Sequence, residues 1–255
     1  MIKVSEDYIK KLVENGQRLD ERGLEDFREI SIETNVIKNA EGSARVKIGK
    51  THVLAGIKLS VGEPFPDTPD EGVLIVNAEL SPVASPTFES GPPGDDSIEI
   101  ARVTDRGIRE SKCIELNKLC ITPEKEVWMV NVDIHVLDYD GNLIDAASLA
   151  AISALLATEI PKYEDGKMDI EEKTGKLPVI DVPIAITTVK VGDKLFIDPN
   201  YEEEQNIDAR ITITTNKNDD ICSIQKGGEG YFTVDEIARA ADLSILKGKE
   251  LRKLI

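Results

Sequence analysis

Three arginines, Arg102, Arg106 and Arg109, recur at i, i+4 and i+7 in the segment 97–119, which reads as one helix. At helical periodicity they fall within an arc of about 60°. Ile100, Thr104, Gly107, Ile108 and Ser111 take roughly the opposite face. Such a row suits a polyanion, because each planar guanidinium offers two parallel hydrogen bonds to a phosphate. It equally suits a solvated face neutralised by Glu99, Asp105 and Glu110, and spacing alone leaves both readings open. A second concentration of chemistry is acidic: Asp198, then Glu202, Glu203 and Glu204, then Asp208. Paired carboxylates hold a divalent ion or act as a general acid, and a solvated turn between strands has the same composition. His52 and His135 each fall in a strand without a partner at ligand spacing, and read as structural or surface residues. Cys113, Cys120 and Cys222 form neither a disulfide framework nor a metal spacing, and read as reduced core thiols. Dinucleotide, Walker and nucleophile-elbow motifs are absent, so neither a cofactor nor a metal is implied.

The elements that position these residues centre on 127–158. Val130, Val132, Ile134 and Val136 alternate with Asn131, Asp133 and His135, the pattern of a strand with one buried face. Asp140-Gly141 makes a turn, and the Ala-rich run after it predicts a helix capped by Asp145 and apolar nearly all round, hence buried. Such a helix start attracts anions through its free N–H groups. Earlier in the chain, Ser5 to Glu14 predicts an amphipathic helix capped by Ser5. Arg18, Asp20 and Arg22 sit in a polar turn whose plain reading is a salt-bridged surface loop. Strands are expected over 30–34, 42–48 and 52–61, the last two joined through Gly49-Lys50, and over 73–80. Long loops over 62–72 and 82–96 separate them from each other and from the arginine helix. Beyond the central helix, 161–178 is a charged connector, either an internal boundary or an extended excursion. Strands follow over 182–190, 194–197, 209–215 and 221–225, and Thr233 with Glu236 opens a final helix by a capping box. The order predicts one mixed α/β or α+β domain over 1–255, with 161–178 as a possible internal boundary.

A chain of 255 residues with net charge -17 does not adhere broadly to nucleic acid or anionic membrane, although a local basic strip is compatible with that total. No apolar run approaches membrane-spanning length, and the start of the chain lacks a signal-peptide core, so a cytoplasmic location is expected.

Several segments together resemble the RNase PH-type phosphorolytic exoribonucleases. Arg18, Asp20 and Arg22 are similar to the family's opening R-x-D-G-R, with Glu21 in the glycine position. The hairpin G-S-A-R-V-K-I-G-K-T-H-V-L-A-G-I and the Asp140-Gly141 turn before an Ala-rich helix also match. The stretches Asp198–Glu204 and Ile221–Ile237 resemble one branch, the non-catalytic ring subunits of archaeal RNA exosomes. The resemblance implies an RNase PH-like domain built on ribosomal-protein-S5-like β-α-β units. It implies pairing with a catalytic RNase PH-like paralogue, three heterodimers in a hexameric ring, RNA-binding cap subunits and a single-stranded RNA substrate degraded by phosphorolysis. Active members bind the attacking phosphate through Gly with Ser or Thr, often followed by Arg. Here Asn142, Leu143, Ile144 and Asp145 stand there, apolar in the middle and negative at the end. Glu204 falls where active members carry the presumed general acid Asp, and Asp208 matches a second aspartate only at a shorter spacing. The resemblance therefore implies a dismantled catalytic site, no catalytic residue, and Arg102, Arg106 and Arg109 as RNA-phosphate contacts beside a partner's active site. The alternatives are a phosphorolytic exoribonuclease in its own right, using Glu204 and Asp208, or a purely structural ring component.

Overall fold

Period-two alternation of branched apolar and polar residues generates the first sheet. It comprises β1 (Ile30–Thr34), β2 (Gly42–Ile48), β3 (Thr51–Gly62), β4 (Val73–Leu80), β5 (Cys120–Thr122) and β6 (Glu126–Asp138). Their order is β1-β2-β3-β6-β4, with β5 paired to the start of β6. The structure, a computed structural model, describes residues 6–164 and 166–255; Ser5, the expected cap of α1 (Glu6–Glu14), lies outside the described residues. β2 and β3 pair around Gly49-Lys50, and β4 runs parallel to β6. The parallel pair requires a crossover, which α2 (Asp95–Glu110) supplies. Val130, Val132, Ile134 and Val136 are buried on one face of β6, as the alternation predicts.

The second sheet is antiparallel, ordered β10-β9-β11-β12, from β9 (Ile184–Val191), β10 (Lys194–Ile197), β11 (Ala209–Thr215) and β12 (Ile221–Gly227). Between the sheets lies α3 (Leu143–Leu156), touching β2 and β3 on one side and β9 and α2 on the other. Two-sided contact explains why the run is apolar all round and rich in Ala. Gly42 shows how close the approach is: a Cβ there would lie 2.5 Å from the carbonyl oxygen of Ala154. Beyond the second sheet, α5 (Val234–Leu251) covers β9 and β11 and opens with the expected capping box of Thr233 and Glu236. The resulting architecture is the expected mixed α/β class.

Two local expectations are corrected, and the 161–178 segment takes one of its two expected forms. The arginine helix does not reach Leu119: it ends at Glu110, because Lys112 turns left-handed (φ 53°) and carries Cys113 into the core. Leu116–Leu119 is a separate 3₁₀ turn. The acidic stretch is not a plain loop but contains α4 (Tyr201–Glu204), closed at its start by a reciprocal Asn200–Glu203 capping box. The 161–178 connector is extended, a ribbon of β7 (Glu159–Glu164) and β8 (Lys167–Lys176) projecting from the body, with β8 exposed along its length.

Candidate functional site

The start of α3 is where an anion would bind, and it is already occupied. Gly141 (φ 86°) packs against the backbone of Pro199 and Asn200, and Asn142 follows left-handed (φ 59°) as the N-cap. The Asn142 side chain does not cap the helix; its Nδ2 donates to Asp198 Oδ1 at 2.9 Å. Nor is Asp145 the cap that the sequence predicts. It sits inside the first turn, buried, and its carboxylate accepts from Thr187 N at 3.1 Å and Thr187 Oγ1 at 2.7 Å on β9. The neighbouring sheet offers two donors to that carboxylate, and they outcompete the helix's own N–H groups. Burial lifts the Asp145 pKa to about 7, although the bonds from Thr187 oppose the rise.

Glu204 supplies the anion at this helix start. Its carboxylate accepts from the Asn142 backbone N–H at 3.2 Å and from the Tyr139 hydroxyl at 2.6 Å. Burial raises its pKa, partly offset by those two bonds. Tyr139 is itself fixed by stacking on Phe88 (centroids 5.2 Å apart) and by an edge contact to Tyr201 at 5.3 Å. Leu143 and Ile144 are buried and bring only hydrocarbon to the turn. Two carboxylates and two aliphatic side chains thus stand where a phosphate ligand would need donors.

The arginines of the N-terminal segment lock the acidic residues in place. Arg18, expected at the surface, is buried: it forks onto Glu203 (Nε to Oε1 3.0 Å, Nη2 to Oε2 2.5 Å) and donates to the carbonyls of Ile197 and Asp198. Asp198, fully buried, accepts from Arg22 Nη1 at 2.8 Å and from Arg28 Nη2 at 2.7 Å. Burial alone would raise the Asp198 pKa; the bonds and charge of Arg28 outweigh it and hold it below the ordinary carboxylate range. The acidic run is therefore neither a solvated turn nor an open cation site, and among the described residues no group of His, Cys, Asp and Glu is arranged to hold a metal ion. Asp208 stands apart, its Oδ2 accepting from Gly192 N at 2.7 Å in the turn between β9 and β10. Arg28 and Tyr139 had no sequence signal of their own, since their partners lie far along the chain.

The arginine row is on α2, and its three members differ. Arg109 is taken up: it makes a two-pronged pair with Asp105 (2.8 and 3.1 Å) and donates to the Leu74 carbonyl. Arg102 and Arg106 are exposed and have no ion-pair or hydrogen-bond partner among the described residues. Of the carboxylates that could neutralise them, Glu99 pairs with Arg210 and Asp105 with Arg109, while Glu110 is exposed and makes no ion pair with either arginine. Opposite the row, Ile100, Val103, Thr104, Gly107 and Ile108 are buried. His135 lies beside Glu79 (3.4 Å) on the open face of the first sheet, where His52 also stands. The three cysteines are free thiols, and burial pushes the Cys113 pKa up to about 12.

Residues 26–161 match domain 1 of the 3′ exoribonuclease family, and residues 181–245 match its domain 2. The chain is 49% identical over 256 residues to the exosome complex component Rrp42 of Pyrococcus horikoshii, covering 99% of this chain and 93% of that protein. It is 52% identical over 250 residues to the Rrp42 component of Methanocella arvoryzae, covering 98% and 95%. Its fold is similar to a chain of the Archaeoglobus fulgidus exosome with RNA bound to the active site, with TM-score 0.92, 48% identity and 97% and 96% coverage. A chain of an archaeal exosome core is also similar, with TM-score 0.87, 44% identity and 97% and 94% coverage.

Proposed function

The chain belongs to the 3′ exoribonuclease family, and from that premise we propose that it is the non-catalytic ring subunit of an archaeal exosome. It pairs with a catalytic RNase PH-like paralogue, three heterodimers close a hexameric ring, and RNA-binding cap subunits sit on one face. It shapes the partner's active site and holds single-stranded RNA while the partner uses inorganic phosphate to release nucleoside diphosphates from the 3′ end. The whole chain acts as one RNase PH-like unit, and it works in the cytoplasm. No helix among the described residues is long and apolar enough to cross a membrane.

The observation that carries the accessory role is Glu204 on the Asn142 N–H. The Glu204 carboxyl already takes the helix-start N–H that an incoming phosphate would need, and Asp145, turned to Thr187, offers no donor in its place. The RNA role rests on Arg102 and Arg106, two unpaired guanidinium groups one helical turn apart on an acidic chain. Arg109 contributes less, because Asp105 already neutralises it.

A second reading, that the chain is itself a phosphorolytic enzyme, has one observation in its favour: burial raises the Glu204 pKa, the direction in which a carboxyl keeps a proton to donate. Against it, Tyr139 and Asn142 already hold that carboxylate, and Asp208 is committed to the Gly192 turn. Phosphate-dependent release of nucleoside diphosphate from poly(A) separates the readings. The expected result is no release by this chain alone and rapid release after reconstitution with the catalytic partner. Release by this chain alone, abolished by Glu204→Gln, would overturn the accessory reading.

A further inference from the structure

Glu99 on α2 pairs with Arg210 on β11, which fixes the flank of the helix that looks towards the second sheet. Arg102, Arg106 and Glu110 follow along the same flank at one-turn intervals. Gly107 brings the helix down onto the sheet: a Cβ there would stand 3.2 Å from Thr214 Oγ1. α2 also touches β12, the outer strand of that sheet. β11 and β12 pair with Thr212 opposite Gln225 and Thr214 opposite Ser223. Side chains alternate across a sheet, so Ser223 and Gln225 share the face of Thr212 and Thr214, under α2. Ile224 and Lys226 stand on the other face with Ile213 and Ile211, towards α5.

A groove results. One wall carries the unpaired guanidinium groups of Arg102 and Arg106, and the floor carries a hydroxyl and a carboxamide, both half-buried. The outward N–H and C=O groups of the edge strand form the other rim. Ser223 makes no side-chain hydrogen bond among the described residues, and Gln225 makes only a 3.4 Å contact from Nε2 to the Lys226 carbonyl. The two rows repeat almost alike, about 6 Å for the four helix residues from Arg102 to Arg106 and about 7 Å per two strand residues. Each arginine can therefore face one floor side chain. A carboxamide both donates and accepts, which is what a ribose 2′-hydroxyl requires.

We propose that the strand whose phosphates lie on Arg102 and Arg106 presents its ribose 2′-hydroxyls to Gln225 and Ser223, so that this groove distinguishes RNA from DNA. The inference rests on the RNA-binding reading of α2 given above and adds β12 to it. The test is binding of fluorescent oligo(A) RNA and of the same-sequence DNA to the complex reconstituted with its catalytic partner. Phosphate-free buffer at fixed salt leaves the RNA intact. Gln225→Met, which keeps the shape without the hydrogen bonds, and Ser223→Ala are each expected to weaken RNA binding about fivefold, the worth of one hydrogen bond, and to leave DNA binding unchanged. Arg102→Ala and Arg106→Ala should weaken both nucleic acids alike. RNA binding unchanged by Gln225→Met and Ser223→Ala, or RNA and DNA weakened equally by them, overturns the proposal. If the arginine variants also bind normally, the RNA reading of α2 falls with it; if only the arginine variants weaken binding, that reading stands and the role of β12 does not.

Discussion

Asp145 and Asp198 are both buried carboxylates near the start of α3, yet their surroundings move them in opposite directions. Asp145 has no cation, so its folded pKa of about 7 lies above the unfolded value, and the folded chain holds an extra proton between about pH 4 and pH 7. Its contribution to stability is complete below that window and is lost as pH rises through 7. Three pKa units correspond to about 4 kcal/mol at most. Urea midpoints should therefore fall between pH 5 and pH 8, and Asp145→Asn should flatten the fall. Asp198, with Arg28 and Arg22, behaves in reverse: its contribution is present above the ordinary carboxylate range and lost as acid drives it through a lowered pKa. Among the surface arginines, pairing decides the outcome. Arg102→Ala and Arg106→Ala should each lower the logarithmic salt slope of RNA binding by about 0.7. Arg109→Ala should lower it far less, since removing it releases Asp105 rather than an RNA phosphate.

At the scale of elements, strands were legible because their periodicity is set by one neighbour, the core. β1, β2, β3, β4 and β6 follow their alternation to within a residue or so. The misses have physical causes. α2 stops at a left-handed Lys112, a role glycine usually signals, so nothing in the residue types marks the end. α4 is a single turn stabilised by its own capping box, too short for periodicity to reveal. Arg18 looked like a surface residue because its partner, Glu203, is 185 positions away. That pair joins the N-terminal segment to α4. Arg18→Met would leave Glu203 buried without its cation, at a cost of about 3–5 kcal/mol, readable as a lowered thermal midpoint. α3 depends on closeness rather than bulk. Gly42→Ala forces β2 and the end of α3 apart and should cost about 1–3 kcal/mol, again by thermal melting.

For the whole molecule, the two matched family domains share a core. The main apolar cluster runs from Val46, Ile57 and Val130 in the first sheet through α3 to Ile184, Ile186 and Ile197 in the second, and on to Leu243 and Leu251 of α5. Fluorescence of the single tryptophan, Trp128 in β6, and far-ultraviolet dichroism should therefore report one coincident unfolding transition. Two separated transitions would show that residues 26–161 and 181–245 melt independently. The carboxylate of Glu204 on the Asn142 N–H also makes the helix start costly to reopen. Truncating Glu204 strands the hydroxyl of Tyr139 and the N–H of Asn142; replacing Asp145 strands the Thr187 donors. Each single substitution that would open this helix start to a phosphate therefore loses native stability before any ligand arrives to restore it. Under the accessory role proposed above, the closed helix start is held by its own fold, and opening it takes several substitutions together rather than one.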